Sequence, residues 1–98
     1  MDFLMAVGDL VSGIFTTVGS NVSFQPAAGV EIIILSLHGD STCRAGLTNG
    51  VTISDSIASN SSTFGQGFNT KIGINNTNYL NMYTNGPTPP SYSGIQIK

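Results

Sequence analysis

Val30-Glu31-Ile32-Ile33-Ile34-Leu35-Ser36-Leu37-His38 decides the fold. Three consecutive isoleucines, with Gly29 and Gly39 at the flanks, favour a strand over a short buried helix. The run is almost continuously aliphatic, which is the pattern of a central strand covered on both faces. Glu31 needs solvent or a partner, so it is placed near the strand's open end.

Outward from this strand, short β-branched and aromatic runs recur between turn residues, as in an all-β sandwich or barrel. Toward the N-terminus, residues 7–18 carry two short apolar pieces broken by Gly8-Asp9 and Ser12-Gly13, and Val22-Ser23-Phe24 reads as a strand closed by Pro26. Toward the C-terminus, Thr48-Asn49-Gly50 signals a hairpin. A two-residue Asn-Gly turn sets apolar residues on opposite faces. A three-residue loop with Gly50 left-handed pairs Leu47 with Val51 and Ala45 with Ile53, burying one face, and is preferred. It also brings Arg44 near Asp55. Ala58 to Gly67 reads as a loop. Lys71 to Ile74 and Tyr79 to Tyr83 read as strands around Asn75-Asn76-Thr77-Asn78. The prolines stiffen Thr84 to Pro90 and make Pro87 to Pro90 the expected exposed tip. In Tyr92 to Lys98, Ile95 and Ile97 alternate with Gln96 and Lys98.

Composition narrows the function. Small neutral polar residues (Gly, Ser, Thr and Asn) make up 43 of 98, against three basic and five acidic side chains. Ordinary domains carry roughly a quarter charged residues. Catalysis needs ionisable groups, and these are scarce, so the chain is expected not to be an enzyme. Ser36, His38 and Asp40 alternate along one strand, but they stand about 6.5 Å apart, too far for a working triad. One His and one Cys do not make a metal site within a chain, and no cofactor is expected. Cys43 reads as a small buried hydrophobe. A formal charge of −2 with scattered Arg44, Lys71 and Lys98 argues against nucleic acid, and no basic amphipathic stretch suggests a membrane. Asp2 and Asp9 interrupt the apolar N-terminus and no positive region precedes it, so neither a signal peptide nor a membrane span is expected there.

Three stretches carry a family resemblance: Ser23-Phe24-Gln25-Pro26-Ala27-Ala28-Gly29-Val30-Glu31, Ile74-Asn75-Asn76-Thr77-Asn78-Tyr79-Leu80, and Tyr92-Ser93-Gly94-Ile95-Gln96-Ile97-Lys98. With an opening near Ala6-Val7-Gly8-Asp9, their order resembles small virion structural proteins of tailed phages, particularly cyanophages and other marine phages. The resemblance implies a β-sandwich or jelly-roll on the virion surface, often a trimer, made in the host cytoplasm. Within that class a capsid decoration (cement) protein binding the major capsid protein is favoured. A small tail-fibre or head-fibre component binding a host receptor or glycan is the alternative.

The expected architecture is one sandwich over residues 1–98, Greek-key or jelly-roll, of seven or eight short strands, with 1–8 as an anchoring segment. Phe3, Leu4, Met5 and Val7 are the candidate capsid contacts, with an edge strand of the chain's own sheet as the competing role. Tyr79, Tyr83 and Tyr92 are the candidate glycan contacts, because aromatic faces suit sugar rings and neighbouring Asn side chains donate and accept hydrogen bonds.

Overall fold

The structure, a computed structural model, describes residues 7–39, 43–60, 66–85 and 88–98, with side chains described for these except at 55–60 and 66–69. Among the described residues eight strands follow one another: β1 (Leu10–Ile14), β2 (Val22–Phe24), β3 (Ile32–Gly39), β4 (Cys43–Thr48), β5 (Ile53–Asn60), β6 (Gln66–Ile74), β7 (Tyr79–Tyr83) and β8 (Ser91–Gln96). They form two four-stranded antiparallel sheets, ordered β1-β8-β3-β6 and β2-β7-β4-β5.

That order has a simple origin. The pairs β1·β8, β2·β7, β3·β6 and β4·β5 are those of one long hairpin bent at its middle. Rolling it up adds the β3·β8 and β4·β7 ladders. The result is a jelly-roll, an eight-stranded β-sandwich.

The inner faces supply the core. Val11, Ile32, Ile34, Leu37 and Ile74 come from the first sheet, and Cys43, Ala45, Leu80 and Met82 from the second. Ile34 and Leu37 both point inward although they are three apart, because a bulge at Leu35 adds a residue to β3 against β8. Tyr92 closes one flank of the core, stacking on Phe24 (4.7 Å, 14°) and tilted against Phe15 (5.4 Å, 46°).

Several expectations are corrected. Thr48 pairs with Ile53 and Leu47 with Ser54, so the hairpin loop is the four residues 49–52. Asn49 sets this length: its Oδ1 accepts from the backbone N–H groups of Val51 (2.9 Å) and Thr52 (2.8 Å). Gly50 is left-handed (φ 91°) as expected. The irregularity between Ala45 and Leu47 sets Arg44 opposite Ser59 rather than beside Asp55. The ends of the predicted 58–67 loop are strand, since Ala58 to Asn60 pair with β4 and Gln66 and Gly67 with β3; residues 61–65 lie outside the described residues. Of the expected tip 87–90, Thr88 is exposed, but Pro90 is fully buried and accepts a hydrogen bond from the Phe15 N–H (2.9 Å); Pro87 lies outside the described residues.

Candidate recognition surface

The outer face of the first sheet departs most from the sequence reading. On β8 the polar Gln96 is turned inward (5% exposed), while Ile95 and Ile97 face outward at 37% and 47%. The central strand β3 is covered on its inner face only: Ile33 is half-buried and Leu35 is exposed.

The register arranges these side chains in rows across the strands. Leu10, Ile95, Ile33 and Gly73 form one row, from edge strand β1 to edge strand β6. Ser12, Ser93 and Ser36 form the next, with Ser36 Oγ and Ser93 Oγ sharing a hydrogen bond of 2.6 Å. Ile14, Ser91, His38 and Gly67 form the third. Leu10 and Ile14 stand out at 75% and 77% exposed. Beside Gly73 lies a hollow of about 210 Å³ lined by Glu31, Ile32, Gly73, Ile74, Asn75 and Ile97.

Val7, the one candidate capsid contact within the described residues, is exposed just before β1. The next residue, Gly8, is left-handed (φ 91°) and its N–H donates to the Gln96 carbonyl (2.7 Å), continuing the β1·β8 ladder. Phe3, Leu4 and Met5 lie outside the described residues.

The tyrosines divide. Tyr79 and Tyr83 share the outer face of the second sheet, with Asn81 between them, 3% exposed and donating to Asn21 Oδ1 (3.2 Å). Alternation leaves Leu80 and Met82 in the core. The Arg44 guanidinium lies over the Tyr83 ring, 4.6 Å from its centroid, and occupies one of its faces. Tyr92 is on the other sheet and packs against the core, where burial raises its phenol above the ordinary value.

Comparison with protein-family models, curated proteins and solved structures returned no match.

The remaining chemistry is sparse. The Ser36 hydroxyl is engaged with Ser93, His38 is exposed, and Asp40 lies outside the described residues. Among the described residues no three His, Cys, Asp or Glu side chains group as metal ligands. Cys43 is buried, and burial raises its thiol, so it remains protonated and unreactive at neutral pH. No helix among the described residues is long and apolar enough to cross a membrane.

Sequence reasoning missed Leu10, Ile14, Ile33, Ile95 and Gly73 as one surface. A signal was present: β3 reads as a strand buried on both faces, and Ile95 and Ile97 alternate with Gln96. The pairing that sets them in rows is a property of the register alone.

Proposed function

We propose that this chain is a structural virion protein that decorates and stabilises a tailed-phage capsid, binding major capsid subunits as an oligomer. The observation that carries the reading is the outward, aliphatic and hydroxyl-lined face of the first sheet on a chain with eight charged residues. Such a face serves contact with protein, the contacts that build the oligomer included, and neutral hydrogen-bonded contacts lose less to salt than ion pairs do. The jelly-roll is an architecture of capsid and lectin domains, which supports the reading by fold analogy.

In mechanism, each contact is weak, and joining several through an oligomer multiplies the affinity. The N-terminal segment is the proposed anchor: Val7 stands exposed beside edge strand β1, and Phe3, Leu4 and Met5 precede it. The role needs neither cofactor nor catalysis. Replacing Phe3, Leu4 and Met5 together by Ser should abolish binding to expanded phage heads and leave the fold intact. Unchanged binding would remove the anchor from the account.

The second reading, a fibre component that binds host glycan, is favoured by Tyr79 and Tyr83 sharing one outer face. It predicts that Tyr79→Ala weakens binding to host polysaccharide while binding to heads persists.

A further inference from the structure

From the outer face of the β1-β8-β3-β6 sheet we infer that two copies of this chain pair face to face across it, about a two-fold axis parallel to the strands. The central strand has the composition of one covered on both faces, yet one chain covers only the inner one. β8 likewise turns Ile95 outward, with Ile97 just beyond its end, while Gln96 lies inside, its Oε1 without a hydrogen-bond partner among the described residues. A one-residue slip would have buried the isoleucines instead. A partner on the outer face accounts for both.

Shape identifies that partner as a second copy. In two of the three rows, the β1 edge carries a large exposed aliphatic residue and the β6 edge a glycine: Leu10 against Gly73, and Ile14 against Gly67. A two-fold axis running between β8 and β3 lays β1 of each copy over β6 of the other. Leu10 of each then enters the hollow beside Gly73 of its mate, and Ile14 lies over Gly67. In the middle of the first row Ile95 meets Ile33, and in the serine row Ser93 meets Ser36. The contact is isologous and closes at two copies, where the family resemblance implies three.

The contact is small and largely neutral. Four strands about 4.8 Å apart and roughly six residues long outline a face of about 19 by 20 Å. In projection that is about 380 Å² per copy, the scale of a small and weak specific contact rather than of an obligate dimer. The face between its ends carries no formal charge; Glu31 lies at the start of β3 beside the axis, so the Glu31 side chains of the two copies share one end of the contact, and Lys71 stands on edge strand β6.

The rotation also leaves Val7 of both copies at the same end of the pair. On the decoration reading, this presents two anchors to one surface. The pair itself does not depend on that reading: a chain that dimerises and ignores phage heads would keep this inference and lose the other.

The test is sedimentation equilibrium of the full chain from about 1 to 200 µM, with Leu10→Asn and Gly73→Val as variants. A Cβ at Gly73 would lie 3.8 Å from Ile33 Cδ1, an ordinary contact, so valine fills the hollow without disturbing the fold. Leu10 is exposed, so asparagine there spares the core. The wild type is expected to reach twice the 10.2 kDa chain mass. Each variant should raise the dimer Kd at least tenfold with an unchanged circular dichroism spectrum. If Gly73→Val fails to fold, Leu10→Asn decides alone. A wild type that stays monomeric at 200 µM, a trimer, or a folded Leu10→Asn variant with unchanged Kd would overturn the inference.

Discussion

The Tyr92 ring on β8 stacks on Phe24 of β2, with centroids 4.7 Å apart, and so joins the two sheets of the sandwich. The stack sits over a glycine: a Cβ at Gly13 would come within 2.6 Å of Tyr92 Oη. Phe24 and Phe15 hold the ring, so it has little room to yield. Gly13→Ala is expected to cost about 1–2 kcal/mol through overpacking, and Phe24→Ala about 2–4 kcal/mol through lost burial and the cavity left behind. Urea unfolding monitored by tyrosine fluorescence measures both.

A tighter constraint lies where β8 crosses β3. A side chain at Gly94 would collide with the Ile33 carbonyl and the Ile34 Cα, which are backbone and cannot swing away. Gly94→Ala should therefore destabilise by about 3 kcal/mol, whereas Gly73→Ala, whose Cβ would make an ordinary 3.8 Å contact with Ile33 Cδ1, should stay within about 0.5 kcal/mol. Chemical denaturation of the two variants side by side, at a concentration where both are monomeric, separates these cases.

Two asparagines organise two turns in the same way. Asn75 Oδ1 accepts from the N–H groups of Thr77 (2.9 Å) and Asn78 (2.8 Å), as Asn49 Oδ1 does from Val51 and Thr52. Asn49→Ala and Asn75→Ala should each cost about 1 kcal/mol, and the Asp substitutions, which keep the acceptor, much less. Thermal melts of the four variants provide the comparison.

Burial raises the Cys43 thiol above its ordinary 9.0 and the Tyr92 phenol above its ordinary 10.0. The folded chain holds these protons to higher pH than the unfolded chain does. Above about pH 9 the unfolded state binds fewer protons, so stability falls as pH rises. The urea midpoint should decline from about pH 9 upward, and Cys43→Ala should remove the earlier part of that decline. In the native state Cys43 should resist iodoacetamide at pH 8 and react once urea unfolds the chain.

How far the fold could be read depended on whether local chemistry or partner strands made the decision. Val22 to Phe24 and Tyr79 to Tyr83 match β2 and β7 because β-branched and aromatic residues there are bounded by Pro26 and by Asn75 to Asn78. Gly50 is left-handed, a conformation glycine adopts without a Cβ penalty, as the Asn-Gly signal implies. The hairpin register escaped because the Asn49 side chain, rather than strand alternation, fixes the loop. The β5 and β6 ends escaped because Ala58 to Asn60 and Gln66-Gly67 have little strand propensity of their own and are strand through pairing with β4 and β3. The same limit applies to the surface. Tyr79 and Tyr83, four apart on one strand, share a face by simple alternation, while only sheet assignment separates Tyr92 from them. The row from Leu10 to Gly73 joins residues 63 positions apart through three ladders.

The most direct test of the proposed decoration role is pelleting of the purified chain with expanded tailed-phage heads, at rising chain concentration. The account predicts saturable co-sedimentation at a fixed ratio to the major capsid protein, persisting at high salt because the contacts are neutral. Chain remaining in the supernatant at 50 µM, with heads intact and their sites unoccupied, would contradict it.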